Sequence, residues 1–357
     1  MLYEHLLTKI VEKYGHKGIF TIDCFLKKEL NAIEIKGVER EYYNLAMLIE
    51  WLKKEGYPYK LPAGRSLVTY LMDTTSPNPL PAHKYCKHCH SIFFHNDTID
   101  KLDGFDIPFM EKNEIEVIDN LEDNHCPVCG NADLECDGHD LLWQVAIKPG
   151  VDSNIEIELQ LPRGIEDKVA AVCCNARIVE DKGRKTITLG KLKMVFCLDE
   201  KEPDKDYYKK KVDASCVEKA LENWPIFVNL DEKKDLPRPT TFSSLLGVTS
   251  LYCSTGIWNN KTKFMVEELG FMPDKLVCFQ EDIYNLCIKH GYTEKDAYKA
   301  LRAMRFGKPA PFMMQEVLWC EDAWKLYMLL EVDEPRYIFP KSTILERVFY
   351  IIKEKLM

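Results

Sequence analysis

Two cysteine pairs carry the clearest chemistry in the chain. Cys86-Lys87-His88-Cys89 and Cys126-Pro127-Val128-Cys129 are C-x-x-C knuckles separated by 36 residues. Each such turn directs two sulfurs at one point, and two turns together make the four-thiolate set that a tetrahedral Zn²⁺ takes. With all four positions cysteine, no coordination site stays open for a substrate, so the expected ion is structural. His88, His90, His125 and Cys136 stand near enough to replace a ligand in an imperfect knuckle.

A second candidate is an acidic pair. Along residues 154–161, Ile155, Ile157, Leu159 and Leu161 alternate with Glu156, Glu158 and Gln160. That period puts both glutamates on one face of a strand. Carboxylates at i and i+2 can share Mg²⁺ or Mn²⁺ in two-metal phosphoryl transfer. Spacing alone favours a solvated acidic face on a half-buried strand, because alternating Glu is common there. Phosphate-type contacts have weaker signals. Lys60, Arg65 and Ser66 sit in a glycine-containing loop whose Pro58 and Pro62 remove donors. Arg305, Lys308 and Lys341 stand at predicted helix ends, where basic residues also serve simply as caps.

These groups need a scaffold, and 357 residues can supply two or three domains. Hydrophobic residues make up 46% and charged residues 29%, ordinary for a globular chain. No uncharged stretch is long enough to span a bilayer. Fourteen cysteines, mostly isolated, fit a reducing cytoplasm with one metal site better than a disulfide framework. The net charge of −9 counts against a chain that coats nucleic acid, so any DNA contact must come from local patches.

Residues 1–55 read as three helices. An apolar stripe from Leu2 to Tyr14 stops at Gly15, a helix over residues 24–35 has Asp23 as its N-cap, and a third runs over residues 38–54. Strands are expected at residues 141–147 and 154–161. A hairpin is expected between residues 175–180 and 185–196. Residues 199–211 form a mixed-charge run and 231–239 a linker. Helices return from Thr240. One ends at His290-Gly291, a capping box at residues 293–296 opens the next, and two more cover residues 312–330 and 342–355.

Several strings, in this order, resemble the PolC-type DNA polymerase III alpha subunit over nearly all of the chain. They are Phe25 to Ile33 (FLKKELNAI), Asn78-Pro79-Leu80-Pro81-Ala82-His83 before Tyr85-Cys86, Cys126-Pro127-Val128-Cys129-Gly130, Asp137-Gly138-His139-Asp140, Arg238 to Ser243, Thr255 to Trp258, and Tyr337-Ile338-Phe339-Pro340-Lys341. The resemblance implies an α+β fold: a DNA polymerase beta-like (C-family) palm with an inserted zinc module and a helical fingers domain. Its parts would be an N-terminal palm segment (1–75), the zinc module (76–140), a shortened palm sheet (141–235) and the fingers (236–357).

The resemblance also bears on activity. The family's Asp-Ile-Asp metal string stands here as Glu156-Ile157-Glu158. Its third catalytic aspartate has no counterpart in Leu192-Lys193-Met194-Val195-Phe196, so an active site would need an acid from elsewhere, for instance Asp199 or Glu200. The phosphate loop is reduced to Ala63-Gly64-Arg65-Ser66, the histidine-glycine pair reads Cys253-Ser254, and the last fingers string keeps Lys341 but loses its histidine. Arg305, Gly307 and Lys308 match the family's basic turn. The family's PHP, exonuclease and C-terminal parts have no counterpart, which implies a non-processive chain. The expected function is a pseudo-polymerase, of a kind that a phage or mobile element could encode, that binds primer–template DNA or replisome proteins. The alternatives are a minimal active polymerase using Glu156 and Glu158, and a zinc-stapled interaction module.

Overall fold

A computed structural model describes residues 2–60, 66–74, 78–95, 109–110, 125–139, 157–173, 177–181, 184–198, 212, 214–229, 235–293, 296–297, 299–301 and 337–357. The chain is a mixed α and β protein that divides into two compact units, Met1–Lys211 and Val212–Met357. Among the described residues, no helix is long and apolar enough to cross a membrane.

The first unit begins with helix α1 (Leu2–Ile35), interrupted at Gly15, where φ is 68°. Leu2, Leu6, Ile10 and Tyr14 bury one stripe before the break, and Gly18, Ile22, Leu26 and Ile33 continue it afterwards. Asp23 lies inside the second stretch and does not cap it. Its carboxylate is held by the Tyr3 hydroxyl at 2.8 Å and Lys27 at 2.6 Å. Helix α2 (Glu39–Glu55) buries Tyr42, Leu45, Leu48, Ile49 and Leu52 and ends on Gly56, whose amide donates to the Leu52 and Lys53 carbonyls. The short α3 (Leu67–Leu71) packs on α1.

Two four-stranded sheets share the core these helices build. The first has the order β3-β2-β1-β4, with β1 (His83–Cys86), β2 (Ile92–His95), β3 (Phe109–Met110) and β4 (Leu134–Asp137). Phe94 of this sheet meets Phe25 of α1 at 5.7 Å between ring centres. The second has the order β5-β8-β7-β6, with β5 (Ile157–Pro162), β6 (Arg177–Asp181), β7 (Arg184–Leu189) and β8 (Leu192–Leu198). Helix α4 (Glu166–Val172) follows β5. In this second sheet β5 and β8 run parallel and the other pairs are antiparallel; in the first sheet β2 and β3 run parallel. The strand expected over 185–196 is therefore two strands, turned at Gly190-Lys191 against the Glu41 carboxylate, which accepts from the Lys191 amide at 3.4 Å. The strand expected over 141–147 lies outside the described residues.

A buried polar hub fastens the first sheet to α1. The Asn78 amide nitrogen donates to Tyr14 Oη at 2.6 Å and to Asp137 Oδ2 at 2.7 Å, and its Oδ1 accepts from the Leu80 amide at 3.2 Å. Burial opposes ionisation of Asp137. The neighbouring His83 and His139, with hydrogen bonds from Asn78 and the Gly138 amide, nonetheless hold it below the usual carboxylate range. Burial lowers the basicity of His83 itself. Gly138 is locked beside the hub. Its φ is +87°, and a Cβ there would stand 2.3 Å from the Pro81 carbonyl oxygen. Gly138→Ala should cost about 2–3 kcal/mol of unfolding free energy in urea, more than backbone strain alone. Gly37→Ala, also at positive φ but with nothing within 4 Å, isolates that strain. Equal costs for the two variants would mean that the close approach does not matter.

The second unit is helical. It contains α5 (Ala214–Glu222), α6 (Phe242–Cys253), α7 (Asn260–Glu267), α8 (Gln280–Lys289) and α9 (Lys341–Lys355). Thr241 and Ser244 form a reciprocal cap on α6, with 3.1 Å from the Ser244 amide to Thr241 Oγ1 and 2.9 Å back. Phe242 stacks on Phe349 of α9. The residues before α9 are tied in by their backbone: the Tyr337 carbonyl accepts from the Thr255 amide at 3.0 Å, and the Ile338 carbonyl from Gln280 Nε2 at 2.8 Å. Thr293 Oγ1 accepts from the Asp296 amide at 3.2 Å, half of the expected capping box. The helix expected over 312–330 lies outside the described residues.

Candidate metal centre and the acidic strand

The knuckles sit at one end of the first sheet and are built alike. In each, the first cysteine's carbonyl accepts from the amide four residues on, His90 at 2.8 Å and Gly130 at 2.7 Å. Its own amide donates to the carbonyl five residues on, Ser91 at 2.9 Å and Asn131 at 2.7 Å. The fifth residue must take positive φ. Gly130 does so at 71° without strain, whereas His90 does so at 58° with its ring held by the Tyr85 hydroxyl at 2.5 Å.

These turns bring Cys86, Cys89, Cys126 and Cys129 together, with all four sulfurs within 4.8 Å of one another. Cys86 Sγ lies 3.7 Å from Cys129 Sγ, and Cys89 Sγ lies 3.5 Å from Cys126 Sγ. A metal–sulfur bond of about 2.3 Å in a tetrahedron gives an edge of roughly 3.8 Å, so the cluster fits a tetrathiolate ion. Its electrostatics also call for a cation. Burial opposes a Cys89 thiolate, but the Ser91 hydroxyl and amide and the Cys126 thiol bring its pKa to about 6. The Asn131 amide favours a Cys129 thiolate, yet partial desolvation of the sulfur and the neighbouring sulfurs push it up to about 12. Four sulfurs cannot all ionise side by side unless a cation neutralises them. Among the described residues, no histidine joins this cluster.

The second sheet places part of the acidic pair. Glu158 lies on β5 on the face away from the core, while Ile157, Leu159 and Leu161 are buried. Glu156 lies outside the described residues, as do Asp199 and Glu200. The partner strand β8 puts Lys193 directly opposite Glu158, and its ammonium stands 3.6 Å from the carboxylate, both side chains about 40% exposed. Lys60 pairs with the other edge of β5. Its backbone pairs with Gln160, N–H to carbonyl at 3.0 and 2.8 Å, so this exposed lysine stands opposite Gln160, two residues along β5 from Glu158. Thr188 and Thr186, opposite Lys193 and Val195, extend the face. Strand pairing between distant segments set Lys193 against Glu158 and Lys60 against Gln160, and no local pattern in the sequence carries it.

Ser66 has a different task from phosphate binding. It is 7% exposed, caps α3 and donates its hydroxyl to Glu29 of α1, while the Leu67 and Val68 amides donate to Glu29 at 2.7 and 3.3 Å. The donors a phosphate would use are filled by a carboxylate. Lys341 opens α9, and its amide donates to Glu281 Oε2 at 2.9 Å. Arg65, Arg305 and Lys308 lie outside the described residues.

The fold and cluster thus define an α+β protein with a four-cysteine cluster that could hold a metal ion. A region of the chain is homologous to PolC-type DNA polymerase III, a replication-polymerase family. It is 30% identical to the DNA polymerase III PolC-type of Bacillus subtilis over 156 residues, 41% of this chain and 10% of that protein. The identity is 31% over 163 residues for the protein of the same name in Thermotoga petrophila, covering 43% of this chain and 11% of that protein. For the Mycoplasma genitalium protein it is 29% over 158 residues, with coverages of 42% and 10%. The chain spans about a tenth of the length of these relatives, and the matched part is shorter than the near-complete span suggested by the short strings. No protein-family profile matches the chain.

Proposed function

We propose that this chain is a PolC-like palm, zinc module and fingers assembly that binds DNA, with nucleotidyl transfer lost or very weak. The carrying observation is Lys193 opposite Glu158. A two-metal site concentrates carboxylates so that two divalent ions can bridge the reacting phosphate. Here the position beside the described acid holds a cation, and Lys60 adds another at the strand edge. An ammonium beside the carboxylate disfavours Mg²⁺ there and suits a phosphate backbone. Thr186, Thr188 and Gln160 add neutral polar groups of the kind that position such a backbone. The four cysteines hold a structural Zn²⁺ that shapes the module beside this sheet and takes no part in chemistry. Lys341 in the second unit is a separate proposed phosphate contact, as are Arg65, Arg305 and Lys308, which lie outside the described residues.

Primer extension at high protein concentration, with Mg²⁺ and with Mn²⁺, tests this reading against a Glu156→Ala/Glu158→Ala control. The expected result is no extension with either ion, together with primer–template binding that weakens steeply as salt rises and weakens further in Lys60→Ala/Lys193→Ala. Extension that disappears in the control would mean an active, non-processive polymerase. A folded protein with no DNA affinity at low salt would leave an interaction module.

A further inference from the structure

The four sulfurs of the metal centre are unequally protected. Cys86 and Cys126 are 0% and 1% exposed and share a small apolar cluster with Phe93, against which Cys89 and Leu134 pack. Cys89 is half-buried, and its sulfur lies 3.2 Å from the Ser91 hydroxyl, a group that is itself buried. Cys129 is exposed. It lies on the outer side of a knuckle whose other members, Pro127, Val128 and Gly130, are exposed too. Hydrogen bonds and burial lower the reactivity of a metal-bound thiolate, and exposure raises it. Across the cluster, the sulfur that faces Cys129 at 3.7 Å is Cys86, on the other knuckle.

We propose that Cys129 is an oxidant-sensing modification site, at which hydrogen peroxide opens the metal centre and cross-links the two knuckles through Cys86. The proposal rests on the reading of the cluster as a zinc site. The Cys129 thiolate attacks one peroxide oxygen, the O–O bond breaks, and hydroxide leaves, giving a sulfenic acid. The Cys86 thiolate then attacks that sulfur, forms the S–S bond and expels the second hydroxide. Two thiolates are oxidised by two electrons, and one peroxide is reduced to two waters once two protons are taken up. Only Cys89 and Cys126 then remain as ligands, too few to retain a structural ion. The apolar packing of Cys86 and the Ser91 hydroxyl on Cys89 direct the first step to the outer sulfur.

The test uses the full chain, with metal content measured before any oxidant is added. Substoichiometric hydrogen peroxide is followed by release of zinc to a chromogenic chelator and, after thiol blocking, by peptide mapping. The expected result is zinc release in step with peroxide consumed, a Cys86–Cys129 cross-link as the first oxidised species, and reversal by a thiol reductant. Cys129→His, which keeps a zinc ligand, should release zinc on the order of tenfold more slowly. A protein that carries no tetrathiolate metal as purified overturns the zinc reading and this proposal together. A zinc-loaded protein whose first oxidised cysteine is Cys89 or Cys126, or whose Cys129→His variant releases zinc as fast as the parent, overturns this proposal alone.

Discussion

Stripping the metal from the full chain is expected to melt one end of the first sheet and leave the other end in place. The two ends are held by different forces. At the α1 end, Phe94 packs on Phe25, His83 is buried, and Asn78 joins Tyr14 to Asp137. At the knuckle end, the apolar contribution is little more than Phe93 and the flank of Leu134. A buried Phe contributes about 2–3 kcal/mol, whereas fixing the backbone costs roughly 1–2 kcal/mol per residue, so this end cannot hold a dozen residues without the ion. Structural zinc supplies on the order of 10 kcal/mol, enough to reverse that balance. Hydrogen exchange read by mass spectrometry should show near-complete loss of protection over residues 86–91 and 126–134 after chelation. Protection over 92–94 and in α1 should change little. Cys126→Ser should reproduce the pattern, and Cys24→Ser, a half-buried cysteine of α1, should not. Loss spread evenly over the unit would mean that the sheet has no independent anchor on α1.

The four-cysteine cluster was legible in the sequence because each half of it is local. A C-x-x-C turn fixes two sulfurs within four residues, and only the meeting of the halves is long-range. Other features left signals that point to structure instead of chemistry. Glu29 stands four residues after Phe25 and four before Ile33, on the buried stripe of α1, which marks it as an interior acid needing donors. The turn at Gly190 shows as a slip in parity: Ile187 and Leu189 face the core on odd positions, and Leu192, Met194 and Phe196 on even ones. A single strand cannot do that without a bulge. The pairing of β5 with β8, which sets Lys193 against Glu158, has no local signature. It depends on which distant strand docks beside which, and that is decided by the shared core.

Glu29 should make the first unit more stable in mild acid than at pH 8. Burial raises its pKa to about 7, against the Ser66 hydroxyl and the Val68 and Leu67 amides, which favour the carboxylate. The folded value lies above the unfolded one of 4.5, so between them the folded chain binds a proton that the unfolded chain lacks. The associated stability is fully present below pH 4.5 and is lost as pH rises through about 7. Each tenfold difference in proton affinity between the folded and unfolded chain is worth roughly 1.4 kcal/mol, so the swing is about 3 kcal/mol. In the second unit Asp282, which accepts from the Cys278 and Phe279 amides, acts in the same direction, since burial pushes it to about 6. Asp137 and Asp73 act oppositely. Their folded values are depressed, so their contribution is lost in strong acid, and the stability maximum falls between the two effects. Glu29→Gln imitates the protonated side chain. Urea unfolding of this variant should match the parent near pH 5 and exceed it by about 3 kcal/mol at pH 8, flattening the profile. Glu29→Ala should instead lose stability at every pH, because the amides of Leu67 and Val68 are left buried and unpaired. A parent profile already flat from pH 5 to 8 would mean that Glu29 ionises freely in the folded chain, and that the cap on α3 is an ordinary carboxylate at neutral pH.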